Sequence, residues 1–220
     1  MTAGSLSATV GNTWHHPLAG GLRKVPLQER SRAMVNQVLS IAADLVEEVG
    51  FEAVVKSPTL LLDKSGVSRG SFYAFFESPA SVLDELAYQR ILQSVGDLEV
   101  ALENRTGKRW TAIIDILVDY YVEEHRVPLI RELWVRQNLT QRARELDLLA
   151  IEDIAELLVA QFRSYAPLFT DLTHLQCAVA IHSLERLCQF AFLDDPSGDP
   201  AVIQEARSML LNYFAGLSGE

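Results

Sequence analysis

The sequence is short of cysteine, glycine, proline and long apolar runs, and each shortage removes a class of protein. Only two cysteines occur in 220 residues, Cys177 and Cys188, so no disulfide framework holds the fold. Within a segment that reads as helical they would stand ~16 Å apart along the axis at ~1.5 Å per residue, whereas a disulfide needs Cα atoms within ~7 Å. Buried reduced thiols are expected, with a cross-subunit bond or thiol sensor as the other reading. Twelve glycines and eight prolines are too few for a collagenous or low-complexity chain. No stretch approaches the ~18 consecutive apolar residues of a membrane span, and Met1 to Val10 lack the basic and apolar regions of a signal peptide. A cytoplasmic protein without a membrane partner is expected. Chemistry-bearing motifs are missing as well: there is no Gly-rich phosphate loop, no nucleophile elbow and no Glu-x-x-His pair. The nearest approaches are His182-Ser183-Leu184-Glu185, in reversed order, and the adjacent Glu124-His125. A helical-bundle metalloenzyme is therefore the weakest reading, and no catalytic residue, metal ligand or cofactor is assigned. The pair His15-His16 has no third ligand at a metal-binding spacing nearby.

Basic charge is scarce too, with 19 Lys and Arg against 29 Asp and Glu for a net charge of -10. Taken globally this argues against nucleic acid as a partner. That argument fails, because the charge is unevenly spread. Residues 1–92 carry eight basic against nine acidic side chains, while residues 93–220 carry eleven against twenty. The acid sits in the C-terminal part, and a near-neutral N-terminal part can still present a basic face.

What is present is helix, and 49% of residues are apolar. Residues 1–24 hold scattered Gly, Ser and Thr without a sustained apolar period and read as a flexible arm ending in Arg23 and Lys24, which could reach a DNA groove. From Leu27 to Val49 the apolar positions Val35, Val38, Ala42, Leu45 and Val49 recur at three and four, the mark of an amphipathic helix that Gly50 stops. Ser57-Pro58 opens a short helix that ends at Gly66, and Ser68 is placed to cap another from Arg69 to Phe76. Two short helices joined by a tight glycine turn are a helix-turn-helix. Ser78-Pro79 opens a long helix to about Ser94, a natural lever between domains. Further helices are expected at roughly 108–125, 127–145, 147–166, 171–193 and 199–217, with no β-hairpin signal and no internal repeat. The fold class is thus all-α, with an N-terminal three-helix helix-turn-helix domain and a C-terminal helical bundle. The expected divisions are 1–24, 25–92 and 93–220.

The stretch Gly66-Val67-Ser68-Arg69-Gly70-Ser71-Phe72-Tyr73-Ala74-Phe75-Phe76-Glu77-Ser78 resembles the A-G-V-S-x-G-[ST]-[LF]-Y-x-[HYR]-F-x-[SN] signature of the TetR (tetracycline-repressor-like) family of bacterial transcriptional regulators. Upstream, Ile41-Ala42-Ala43-Asp44-Leu45 followed by Gly50-Phe51 is similar to that family's first helix. Together these cover about a quarter of the chain. The resemblance implies a DNA-binding regulator, usually a repressor, that binds a pseudo-palindromic operator as a homodimer and is released by a small effector. A regulator-like ligand- or protein-binding module without DNA binding is the alternative.

The residue chemistry agrees with a recognition helix, which needs small or polar residues at its N-terminus while its far face packs. Ser68, Arg69, Gly70 and Ser71 supply the approach. Arg69 can reach a phosphate or a guanine edge, Tyr73 can offer its hydroxyl to a phosphate, and Phe75 can touch a thymine methyl or simply pack. Lys56, Ser57 and Thr59 stand at the start of the preceding helix, where backbone N–H groups favour anions. Phe72 and Phe76 read as core. Three features depart from the family pattern. Two extra residues separate Gly50 from the helix-turn-helix, so a different loop is expected at Val54-Val55; Phe75 replaces the usual polar or His residue; and Pro79 stands where many members have a phosphate-binding lysine, with Ala80 in place of the acidic residue that follows it. Losing one phosphate contact lowers the salt slope by ~0.9.

In the C-terminal part, Trp110, Leu117, Tyr121, Trp134, Gln137, Phe162 and His182 are candidates to line a pocket for a hydrophobic or aromatic effector, although each taken singly reads more readily as ordinary core. The last two expected helices are apolar on more than one face, so something must cover both sides. In the resembled family these helices pair with their twofold mates. Leu175, Val179, Arg186, Phe190, Met209 and Tyr213 are the candidate dimer interface.

Overall fold

The structure, a computed structural model, describes residues 14–105 and 109–218. Most of the expected arm, residues 1–13, lies outside the described residues. The chain divides into two compact units, one drawn from Met1–Leu92 with Gln137–Leu149 and the other from Gln93–Arg136 with Ala150–Glu220. Among the described residues every regular element is helical, and the one β feature is an isolated antiparallel bridge between Leu22 and Phe76.

In the first unit, α1 (Glu29–Val49) buries Val35, Val38, Leu39, Ala42, Leu45 and Val46 along the face its apolar period defines. Gly50 ends it at φ 85°. The two additional residues after Gly50 do not make a loop but fall in a short helix, α2 (Phe51–Lys56). The side chain of Ser57 accepts from the Leu60 N–H, and with Pro58 at the first position α3 (Pro58–Ser65) starts as its sequence predicts. Gly66 closes it in the left-handed region at φ 64°, its N–H donating to Leu62 O, a conformation costly for a residue with a Cβ. Ser68 then caps α4 (Arg69–Phe75) by accepting from the Ser71 N–H at 3.2 Å. Phe72 and Phe76 are fully buried.

The fifth helix, α5 (Pro79–Glu103), runs well past the expected end at Ser94. Nothing between Ser94 and Glu103 breaks a helix strongly, and Leu98 and Leu102 continue the buried face. The expected arm also differs from what is observed. Trp14 is 1% exposed, and residues 14–24 are fastened to the first unit rather than loose.

The second unit is a bundle of α6 (Thr111–His125), α7 (Pro128–Ile130) with a π-helical turn at Arg131–Val135, α8 (Gln141–Arg163, from Ala150 onward), α9 (His174–Ala191) and α10 (Pro200–Leu217). The helix expected over 127–145 is broken. Arg136 donates to Arg131 O in the π pattern, and Gln137 takes φ 59°. An α-helix cannot continue through a left-handed residue. The new helix starts at Gln141, with the Thr140 hydroxyl accepting from the Ala143 N–H. Thr173 and Gln176 form a reciprocal capping box on α9, and Asp199 caps α10 ahead of Pro200. Helix α9 packs on α10 and α6 around a core in which Phe162 stacks on Phe214 at 4.3 Å between centroids and meets Phe169 at 4.9 Å. Cys177 and Cys188 are free and buried, and burial pushes both thiols up to about 12, so neither is a ready nucleophile.

Candidate nucleic-acid interface

The turn Gly66-Val67 brings the end of α3 and the start of α4 together around an open groove lined by Thr59, Leu62, Asp63, Gly66, Val67, Ser68 and Arg69. Helix α4 is two-faced. Phe72 and the following Phe76 are buried on one side, while Ser68, Arg69, Gly70, Ser71 and Tyr73 face solvent on the other. A Cβ placed on Gly70 would meet nothing within 4 Å, so its small size serves no internal packing and leaves room for an approaching partner. The Ser68 hydroxyl donates to Ser71 Oγ at 2.9 Å while accepting the helix N–H, which holds both hydroxyls at the helix entrance. Tyr73 is 39% exposed and rests edge-on against Phe72.

The other sequence-predicted contacts are placed less simply. The Lys56 ammonium pairs with Glu52 one turn back on α2, so part of its charge is answered within the protein. Ser57 spends its oxygen on the helix cap, leaving its hydroxyl proton to give, and Thr59 is exposed at the mouth of the groove. Phe75 is half-buried, with the Lys24 ammonium 4.6 Å above its ring, so one face of that ring is covered by a cation.

A short helix, a left-handed glycine turn and a second short helix that buries two phenylalanines and exposes a Ser-Arg-Gly-Ser entrance form a helix-turn-helix. Comparison with known proteins bears on the rest of the chain. Residues 108–216 match the family described as the tetracyclin repressor-like C-terminal domain. A TetR-family transcriptional regulator from Streptomyces coelicolor superposes with a TM-score of 0.67 at 26% identity, covering 85% of this chain and 98% of that one. A second TetR-family regulator, from Pectobacterium atrosepticum, gives 0.65 at 14% identity over 88% and 98%. Salmonella enterica GusR gives 0.61 at 18% over 87% and 100%. No curated protein matches the sequence. The chain belongs to the TetR family of transcriptional regulators.

The C-terminal unit of this TetR-family chain presents the expected pocket residues in different settings. Leu117 and Phe162 are fully buried, Trp134 is buried on the π-helical turn, and Trp110 and Tyr121 are half-buried at the core margin. Trp110 lies 5.5 Å from Phe169 and 6.3 Å from Phe162 between centroids. His182 is exposed, and so is Gln137, which falls in the first unit. Gln137 sits in the left-handed break after the π-helical turn, and His182 lies on the outer stripe of α9.

The buried histidine of the bundle is instead His125, which the sequence marks only through its adjacency to Glu124 and not as a pocket residue. It is 4% exposed, between Tyr121 and Phe192, and its Nδ1 is 2.8 Å from Tyr121 O. Its Nε2 is buried without a hydrogen-bond partner. Burial holds its pKa down at about 4, against a small opposing effect of the Tyr121 carbonyl, so the imidazole is neutral. Nδ1 then carries the proton it donates to Tyr121 O, and Nε2 presents a lone pair.

The candidate dimer residues lie mostly outside. Leu175 is 70%, Phe190 63% and Val179 46% exposed on α9, and Met209 on α10 is exposed as well. Arg186 is also exposed, donating to Gln189 Oε1 at 2.9 Å, whereas Tyr213 is half-buried. No helix among the described residues is long and apolar enough to cross a membrane, and no group of three or more His, Cys, Asp or Glu is gathered among them for a metal ion.

Proposed function

We propose that the protein is a cytoplasmic repressor that binds a pseudo-palindromic operator as a homodimer, inserting α4 of each protomer into the major groove. The exposed entrance Ser68-Arg69-Gly70-Ser71, backed by buried Phe72 and Phe76, carries this reading. Arg69 is the side chain that reads a base edge or phosphate, while Ser68, Ser71, Tyr73, Thr59 and the Ser57 hydroxyl contact the backbone. Lys56 contributes where it exchanges Glu52 for a phosphate, and Gly70 permits close approach.

The outward α9 stripe Leu175, Val179 and Phe190, with Met209 also exposed on α10, favours a twofold contact, since large apolar side chains left exposed are costly in water. The effector is a small, largely apolar or aromatic molecule that Trp110, Leu117, Tyr121, Trp134 and Phe162 would touch. It releases the operator by binding better to a conformer whose two recognition helices no longer match the half-sites. A coupling on the order of 1–3 kcal/mol is enough.

Selection of bound sequences from a random duplex pool, at low and moderate salt, tests the reading. An enriched inverted repeat that Arg69→Ala no longer captures is expected. No enrichment even at low salt would overturn it in favour of a ligand- or protein-binding module of the same fold.

A further inference from the structure

The segment Trp14–Lys24 has no regular secondary structure, yet its backbone is pinned along its length. The Tyr88 hydroxyl donates to His16 O at 3.0 Å. The Arg142 guanidinium donates to Leu18 O at 2.9 Å and to Ala19 O at 2.7 Å. Gly21 N–H donates to Oε2 of Glu85 at 2.9 Å, and the opposite oxygen of that carboxylate, 2% exposed with its residue, accepts from Gln89 Nε2. Gly20 and Gly21 pass flush against α5. A Cβ on Gly21 would stand 1.6 Å from Ser81 O, and one on Gly20 2.3 Å from Glu85 Oε2. The strap then bridges to Phe76 through Leu22, and Arg23 N–H donates to Phe75 O at 2.8 Å.

These contacts deliver two cations to the carboxyl end of α4. Arg23 Nη1 donates to Tyr73 O at 3.1 Å, leaving the rest of its guanidinium to solvent, and Lys24 lies over the Phe75 ring with its ammonium exposed. From Trp14 to Gln28 the chain carries no Asp or Glu. Glu77 is the one acidic residue between Arg69 and Ser78. A cation already fixed in place gives up less conformational freedom on binding than one at the end of a loose arm.

We propose that Arg23 and Lys24 are a second phosphate-binding element, clamped by the strap beside α4, that grips the duplex backbone flanking the groove the recognition helix enters. This rests on the DNA-binding reading above.

The test is the salt dependence of binding to the enriched duplex. Each phosphate neutralised contributes ~0.9 to the slope of log affinity against log salt. Arg23→Ala with Lys24→Ala should therefore lower the slope by ~1.8 per protomer, so that a fourfold rise in salt weakens the variant about 12-fold less per protomer than the wild type. Gly21→Val keeps every charge but forces the strap off Ser81, and it should lose a comparable part of the slope. Lys24→Gln, which disturbs only a ring-face contact, should lower it by ~0.9 per protomer and keeps the test open if the strap variants fail to fold. An unchanged slope in Lys24→Gln and in the double variant, with Arg69→Ala still defective, overturns the proposal while sparing the DNA-binding reading. A wild-type protein that enriches no duplex overturns both.

Discussion

His125 makes the C-terminal bundle sensitive to acid, with a sign and size that follow from its surroundings. The folded protein holds the imidazole neutral, its pKa lowered from 6.5 to about 4 chiefly by burial. An unfolded chain takes up a proton below about pH 6.5. A depressed folded-state pKa means that this contribution to stability is complete above pH 6.5 and is lost as the pH falls through the interval down to about 4. The full difference corresponds to roughly 3 kcal/mol, and about 2 kcal/mol of it is gone by pH 5. Carboxylates also titrate in this range, so the informative quantity is a difference between two proteins. Wild type and His125→Leu are unfolded in urea at pH 7.5 and pH 5.0, at one fixed protein concentration, with helicity followed by circular dichroism. Wild type should lose about 2 kcal/mol more than the variant over that interval. Leucine also removes the buried Nε2 that has no partner, so the variant should not be strongly destabilised at pH 7.5. Equal losses in the two proteins would refute the reasoning, because they would mean that the imidazole titrates freely in the folded state.

Other consequences can be measured on the same protein. Phe162, fully buried between Trp110, Phe169 and Phe214, should cost about 3–5 kcal/mol of stability when truncated to alanine, read from chemical denaturation. Ser68→Ala removes the cap on α4 and should cost about 1 kcal/mol together with a loss of operator affinity seen by fluorescence anisotropy; unchanged affinity would remove Ser68 from the interface. Phe190→Asp puts a charge on the exposed α9 stripe and should shift sedimentation velocity from dimer to monomer at micromolar concentration.

The helix-turn-helix was legible because everything that builds it is local. Ser57 and Pro58, the left-handed Gly66, and Ser68 capping onto Ser71 each act within four residues of themselves, a range over which sequence spacing translates directly into geometry. The bundle was legible as helices but not as boundaries. Between Val127 and Arg144 the apolar pattern continues while the backbone passes through a π-helical turn and a left-handed Gln137, and neither has a strong side-chain signature.

The histidines show how far periodicity reaches. His182 follows Leu175 by seven residues and Val179 by three, which puts it on the stripe that also carries the exposed Phe190. His125 follows Val118 by seven and Val122 by three, which puts it on a buried face. The same spacing rule separates them, once each histidine is judged by its helical neighbours instead of by the general apolarity of its segment. The strap is a different case, since nothing in its own composition marks it as ordered. Its partners are a carboxylate 64 residues away, a tyrosine hydroxyl 72 away and a guanidinium more than 120 away, and they hold backbone groups that every residue type possesses. What such a segment can show in its sequence is only the negative requirement at Gly20 and Gly21, where any Cβ would collide with α5. Gly21→Val is therefore the most direct probe of the strap, for it alters neither charge nor any side-chain donor and acts solely through that requirement.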